Sequence, residues 1–174
     1  LSLSVSKPIF KLPNKDRLLA KQLKFSTFDS LLVINDVVLR RAENADKQKN
    51  NFKIESIELH GVKPKDIVNN NQIVLNKLNI LNPSFKLFKS GNQNKNIKFN
   101  FESLLAGKIK NIEIKRLNVI NGKVDFENGG SSVNKSQLTL DGFAFNEKEL
   151  ERNRFLFSKR ARVSLDKVKS EIPG

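Results

Sequence analysis

Residues 73–87 read IVLNKLNILNPSFKL, and residues 112–126 read IEIKRLNVINGKVDF. The two stretches repeat one another, so that Leu78 in the first copy matches Leu117 in the second, 39 positions later. Apolar and polar residues alternate in both copies, which is the period of a β-strand with one buried face. Each copy also holds a turn-forming pair at the same place, Asn-Pro in one and Asn-Gly in the other. We therefore interpret each copy as a strand, a tight turn and a second strand.

The alternation is interrupted in the same way at four places in the chain. Apolar residues (Φ) follow the pattern Φ-x-Φ-x-x-Φ-x-Φ, with one extra residue in the middle. An extra residue would turn every later side chain to the other face unless a bulge or kink absorbs it. We predict long strands that bend near their middle and keep one continuous apolar face. The apolar positions are Leu32, Ile34, Val37 and Leu39; Ile73, Leu75, Leu78 and Ile80; Ile112, Ile114, Leu117 and Val119; and Leu138, Leu140, Phe143 and Phe145.

Short helices are expected before each of the two long repeats. Pro64 suits the first position of a helix, where its missing N–H costs no hydrogen bond. Asn100 suits the cap of a second helix over residues 101–106. The polar stretches 42–51 and 147–154 are expected to be exposed loops or turns.

The predicted fold class is mainly β, with long bent antiparallel strands in a repetitive, curved open sheet, shaped like a trough or solenoid, and a few short helices. Residues 1–160 are expected to form one module, with internal units at about 30–50, 54–91, 99–129 and 133–147. The pattern Leu3-Val5-Lys7 returns as Val163-Leu165-Lys167, so residues 161–174 are expected to begin a following module. Because the chain starts with Leu1 and contains no methionine, we expect it to be part of a longer protein.

The composition excludes several kinds of catalytic and metal site. The chain has no cysteine and one histidine, so a thiolate nucleophile, a Cys-ligated zinc and a histidine cluster are excluded. His60 is expected to be a polar residue beside a turn. Glu55 and Glu58 are three apart in a strand, which places them on opposite faces and gives no acid–base pair. We predict that the chain is not an enzyme and has no cofactor, metal site or catalytic residue.

Two further polar motifs have ordinary structural interpretations. Asp125 and Glu127 share a face in a solvated row beside Lys123. Residues 129–132 read GGSS but lack the Lys-Ser/Thr and helix that follow in a phosphate-binding loop, so a hairpin connection is expected.

The net charge of +14 raises the question of an anionic partner. Basic residues are spread along the whole chain, and the densest short cluster is Lys159, Arg160 and Arg162. Tyrosine and tryptophan, which commonly stack on bases, are absent. The pattern favours a solvated basic face, with an anionic membrane surface as the next candidate, over a nucleic-acid partner.

Residues 54–88 (IESIELHGVKPKDIVNNNQIVLNKLNILNPSFKLF) and 109–128 (IKNIEIKRLNVINGKVDFEN) resemble the AsmA-like envelope proteins, which are related to TamB. Members of that family carry similar units of strand, short helix and strand with Asn-Pro or Asn-Gly turns. Leu12-Pro13, the segment 25–27 (FST) and Asp29-Ser30 are similar to versions of the family from Bacteroidota. The resemblance covers nearly the whole chain, in hydrophobic patterns and without a specific ligand motif.

The resemblance implies a periplasmic protein that is anchored to the inner membrane and conducts phospholipids or supports outer-membrane assembly. The implied ligand is a phospholipid or another acyl chain, and envelope proteins are further partners. The alternative is a repetitive β scaffold or adhesin-like module whose apolar face is a closed core and which binds protein partners. A basic nucleic-acid-binding module is a third, less favoured reading. The candidate lining of an apolar groove is Ile73, Leu75, Leu78, Ile80, Ile112, Ile114, Leu117, Val119, Leu138, Leu140, Phe143 and Phe145.

Overall fold

A computed structural model of the chain describes residues 1–12, 15–40, 51–87, 111–126, 131–146 and 157–169. These residues form twelve strands and one short helix. The elements are β1 (Ser2–Ser6), β2 (Ile9–Lys11), β3 (Arg17–Leu19), β4 (Gln22–Ser26), β5 (Leu31–Arg40), β6 (Asn51–His60), α1 (Pro64–Asn70), β7 (Gln72–Leu81), β8 (Ser84–Leu87), β9 (Asn111–Phe126), β10 (Ser132–Phe145), β11 (Arg160–Ser164) and β12 (Lys167–Lys169).

All twelve strands belong to one sheet, in the order β1-β4-β5-β6-β7-β9-β10-β11. The short strands continue the long ones in unbroken register: β2 pairs with β3, β3 with β5, β8 with β6 and β9, and β12 with β10. Strands β1 and β11 lie at opposite ends of this order, so the sheet is open. The prediction of a mainly β fold with long strands in one open sheet is confirmed.

One pairing differs from the predicted antiparallel arrangement. Strands β7 and β8 run parallel to β9, while the other pairs among the described strands are antiparallel. The 39-residue spacing of the sequence repeat equals the offset between paired residues of β7 and β9, because Leu78 lies beside Leu117 and Asn79 beside Asn118. Equivalent residues of the two copies therefore become neighbours in the sheet.

The strands bend where single residues adopt the left-handed backbone conformation. Asp36, Asn82 and Asn121 have φ values of 52°, 48° and 57°. The register places them on one line across the sheet, with Glu55 opposite both Asp36 and Asn82. We call this line, which reaches Lys7 (φ 53°) between β1 and β2, the first crease.

A second crease lies six residues from the first in the register of the sheet. Its left-handed residues are Ser30 just before β5, Gly61 (φ 81°) just after β6 and Gly142 (φ 64°) within β10. Two features favour glycine at position 61. Its φ is positive, and a Cβ would lie 2.6 Å from Nδ2 of Asn76 in the neighbouring strand. The interruption in the copy 32–39 falls at Asp36 on the first crease, and the interruption in 138–145 falls at Gly142 on the second. Residues 73–80 and 112–119 contain no positive-φ residue, so the bend stays a prediction for these two copies.

The prediction of a tight turn in each long repeat is wrong. Strand β8 continues in the direction of β7 and pairs with the same two neighbours, and Asn121 and Gly122 lie inside the unbroken strand β9. The left-handed Asn82 kinks the strand instead of reversing it. A hairpin would have paired β8 with β7. The apolar residues after the turn would then not pair with β6 and β9 as they do.

Helix α1 begins at Pro64, as predicted, and its C-cap Asn71 is left-handed with φ 52°. Ile67 of this helix packs against the main hydrophobic cluster. The second predicted helix (101–106), the predicted turn at 147–154 and most of the predicted loop at 42–51 lie outside the described residues, while Asn51 begins β6.

Two clusters of buried apolar residues lie along the sheet. The first contains Val62, Leu75, Ile112, Ile114 and Phe145, and the second contains Ala20, Val37 and Ile54. Among the described side chains none is completely buried. This is expected for a sheet whose apolar residues pack mainly against their neighbours on the same surface.

Candidate functional site

The structure brings the twelve predicted groove residues into one block of three adjacent strands. Strands β7, β9 and β10 each contribute one residue to each of four rows. The parallel register aligns β7 with β9, and the antiparallel register aligns β9 with β10. The rows are Ile73-Ile112-Phe145, Leu75-Ile114-Phe143, Leu78-Leu117-Leu140 and Ile80-Val119-Leu138.

The rows share one surface of the sheet, which we call the apolar face. Leu78 and Leu117, on one side of the second crease, pack against the cluster that contains Leu75 and Ile114, on its other side. In β10 the left-handed Gly142 compensates for the extra residue in the pattern, whereas β7 and β9 keep these side chains on one side without a positive-φ residue in 73–80 or 112–119. Seven of the twelve residues are half-buried. The other five are buried, namely Leu75, Ile112, Ile114, Leu140 and Phe145.

The apolar face extends well beyond the three predicted strands. The row of Leu78 continues through Leu59, Leu32 and Phe25 to Leu3, and the row of Ile80 continues through Ile57, Ile34 and Leu23 to Val5. Eight neighbouring strands at about 4.8 Å each give these rows a length of roughly 35 Å. Most residues of this extension are outside the twelve predicted groove residues, although the same alternation is present in residues 23–25 and 57–59.

One end of the apolar face is covered by side chains from outside the sheet's strands. Ile67 of α1 and Phe157 pack against the first cluster. The Phe157 ring lies edge-on to Phe145 and Phe143, with centroid distances of 5.2 Å and 6.4 Å. Towards the sheet edge the face is open, since Leu3 remains 53% exposed.

A chain of hydrogen bonds crosses the opposite surface, which we call the polar face. The Thr139 hydroxyl donates to Asn118 Oδ1 (3.2 Å), Asn118 Nδ2 donates to Asn79 Oδ1 (2.9 Å), and Asn79 Nδ2 donates to Glu58 Oε2 (2.8 Å). These residues are direct neighbours in four adjacent strands. Asn79 is buried although it is polar, and the chain satisfies its side-chain donor and acceptor.

Charged groups gather on the polar face near the second crease. Arg116 Nε lies 3.0 Å and Arg162 Nη2 lies 3.4 Å from the Asp141 carboxylate. The hydrogen bond from Arg116 lowers the pKa of Asp141 below its ordinary value; partial desolvation opposes this, and the charges of Arg116, Arg162 and Arg160 add to it. The carboxylate is therefore held in its ionised form by an excess of cations.

The residues that the sequence analysis set aside have structural partners. His60 ends β6, and its Nε2 lies 3.5 Å from Glu58 Oε2. Glu55 accepts a bond from Asn82 (2.6 Å) whereas Glu58 accepts from Asn79, so the two carboxylates serve different partners. A shallow polar depression of about 270 Å³ follows the first crease and is lined by Lys21, Gln22, Asn35, Asp36, Glu55 and Ser56.

Lys123 Nζ and Asp125 Oδ2 form an ion pair at 3.1 Å, as their predicted shared row suggested, while Glu127 lies outside the described residues. Within the described ranges, histidine and acidic residues nowhere form a group of three that could hold a metal ion.

Comparison of the chain with protein-family models, with curated proteins and with solved structures finds no match. In the part of the chain that the structure describes, no helix is long and apolar enough to span a membrane.

Proposed function

We propose that the chain is a non-enzymatic cell-envelope protein whose apolar face handles or conducts phospholipids in outer-membrane biogenesis or maintenance. The observation that carries the proposal is the apolar face itself, which joins the twelve candidate residues into one block and continues across eight strands. Among the described residues no second sheet covers this face, and a large apolar surface without such a cover is typical of a binding site.

Acyl chains suit this surface because it offers apolar contact without directional polar groups. Each buried CH₂ contributes about 0.8 kcal/mol, so a chain of a dozen or more carbons gains enough to bind without specific recognition. The polar groups of this part of the sheet, including Asn79, Asn118 and Thr139, lie on the other surface and bond to one another. In the proposed mechanism the acyl chains lie along the apolar rows while the headgroups stay near solvent.

The location follows from the resemblance to AsmA-like proteins. We place the protein in the periplasm, anchored to the inner membrane as part of a longer chain. Phospholipid is the proposed ligand, and an anionic membrane surface and envelope proteins are the further proposed partners.

The test is native mass spectrometry of the gently purified chain, followed by lipid extraction. We expect co-purified phospholipid, and we expect Leu78→Asp and Leu117→Asp to lose it because they place a carboxylate in the middle of the apolar face. Gln137→Asp is the matched control, since it adds the same charge at an exposed position of β10 between Ser136 and the face residue Leu138. Circular dichroism and urea unfolding establish that each variant is folded.

A closed-core scaffold is the second candidate, and the packing of Ile67 and Phe157 against the first cluster favours it. It predicts a lipid-free, monodisperse protein that does not bind an environment-sensitive apolar dye. That result, or equal lipid binding by Leu78→Asp and Gln137→Asp, would contradict the lipid proposal.

A further inference from the structure

The two edges of the sheet are built in the same way. Strand β1 has five residues and is followed by a two-residue interruption and the three-residue β2; β11 and β12 repeat this layout. In the register of the sheet, Val163 lies in the row of Val5, and Val168 in the row of Phe10. Both edge strands also run in the same direction. Strand β11 is therefore the structural equivalent of β1, displaced to the far edge.

The equivalent strands have their neighbours on opposite sides. Strands β1 and β2 pair with β4 and β3 on the side that faces the rest of the sheet. Strands β11 and β12 pair with β10 on the other side, and the side that corresponds to β4 has no neighbour among the described strands. The bond from Lys7 N to Lys21 O places the odd-numbered residues of β1 in the positions that bond to β4. By equivalence, the N–H and C=O groups of Ala161 and Val163 point to the open side. We call this side of β11–β12 the open edge.

The side chains at the open edge define the chemistry of a strand that would fit it. Ala161 and Val163 continue the apolar rows, and Val163 is 65% exposed. Arg160 and Arg162 stand where β1 has Ser2 and Ser4. Asp141 is already bonded to Arg116 and Arg162, so the edge keeps an excess of positive charge.

We propose that the open edge binds an extended acidic peptide segment of a partner protein as an added antiparallel strand. Such a segment has apolar residues at alternate positions, opposite Ala161 and Val163, and carboxylates opposite Arg160 and Arg162. A second copy of this chain fits poorly, because its β4 is already paired with β1 and β5, antiparallel pairing of two β11 strands would bring the arginines of both copies together, and the chain carries a net charge of +14. Basic side chains on an edge strand oppose pairing with like-charged strands. The proposal does not depend on lipid binding.

The test measures peptide binding to the full chain by fluorescence anisotropy. The probe is a labelled peptide with the sequence of residues 17–27 in which Lys24 and Ser26, the positions opposite Arg162 and Arg160, are replaced by glutamate, and Arg17 and Lys21 by serine, so that its side chains carry two negative charges and no positive one. The unmodified 17–27 peptide and a scrambled acidic peptide are the controls. We expect the acidic probe to bind at least about tenfold more tightly than either control, because it alone combines the strand pattern with complementary charge.

Protein variants separate charge from strand pairing. Replacing Arg160 and Arg162 by serine gives β11 the polar residues that β1 has at Ser2 and Ser4, and should weaken probe binding about tenfold or more. Val163→Pro removes an outward N–H and should weaken binding, whereas Val163→Ala keeps the N–H and should retain most of it. Equal binding of the scrambled peptide, or no difference between Val163→Pro and Val163→Ala, would overturn the proposal in favour of a general polyanion-binding surface.

Cross-linking gives a result that does not depend on the stability of the proline variant. The chain has no cysteine, so Val163→Cys introduces a unique thiol. A probe with cysteine in place of Leu23 should form a disulfide with it in preference to a probe with cysteine in place of Thr27. Equal cross-linking of the two probes would contradict the proposed register.

Discussion

Asparagine has two separate functions at the level of single residues. Asn82 and Asn121 adopt the left-handed conformation at the first crease, which asparagine tolerates better than most residues. Asn79 and Asn118 use their amide groups in the hydrogen-bond chain of the polar face. The two pairs are related by the same 39-residue repeat, so one repeat supplies both the bend and the polar chain.

Asn118→Ala should lower the free energy of unfolding by about 1–3 kcal/mol, because it removes two hydrogen bonds and leaves the buried Asn79 carbonyl without its donor. Urea unfolding checks this value. Asn70→Ala is the control, since Asn70 is exposed and makes one long bond of 3.4 Å to Asp66. Equal effects of the two substitutions would show that the chain does not contribute to stability.

Asp141 should make the stability depend on pH. Its pKa is lowered in the folded protein, chiefly by the hydrogen bond from Arg116, so its contribution is present above the ordinary value of 3.8 and is lost as the pH falls through the lowered folded-state pKa. Urea unfolding between pH 7 and pH 2 should show Asp141→Asn less stable than wild type at neutral pH. The difference should disappear at the acidic end, and a constant difference would contradict the assignment.

At the level of the element, two of the four interrupted copies, 32–39 and 138–145, contain a left-handed residue at the interruption, Asp36 and Gly142. The interrupted alternation predicted which side chains share a face, because it reports this directly. It did not distinguish a kink from a reversal at Asn82, since both use a left-handed asparagine. The pairing of β8 with β6 and β9 decides between them, and this pairing is a long-range property.

Asn121→Gly and Asn121→Val should have opposite effects on strand β9. Glycine adopts φ 57° freely and should preserve or slightly raise stability, whereas a β-branched residue is strained there and should lower the free energy of unfolding by about 1–2 kcal/mol. Lys123→Val is the control at a regular, exposed position of the same strand. If Asn121→Val costs no more than Lys123→Val, the left-handed conformation is not required for the bend.

At the level of the whole molecule, stability should be unequal across the single sheet. The central strands β7, β9 and β10 carry most of the first cluster, whereas β1, β2 and β11 are exposed along their length. Sheet edges with few buried contacts open at a lower free energy than the centre.

Hydrogen exchange measured by mass spectrometry should therefore be at least about tenfold slower for amides of β9 and β10 than for those of β1 and β11. Peptides from β5 and β6 serve as an internal comparison and should be intermediate or slow. Uniform protection across the sheet would mean that it unfolds as one cooperative unit.

The sequence by itself determined the strand class and the shared face of the twelve residues in the central apolar block. These follow from alternation, from the repeated interruption and from the 39-residue repeat, all of which are local or periodic signals. Only the tertiary structure decided the parallel pairing of β7 with β9, the alignment of left-handed residues into two creases, the cover supplied by Ile67 and Phe157, and the equivalence of the two edges. These features depend on which strands become neighbours, and strand pairing is fixed by contacts between residues far apart in the chain.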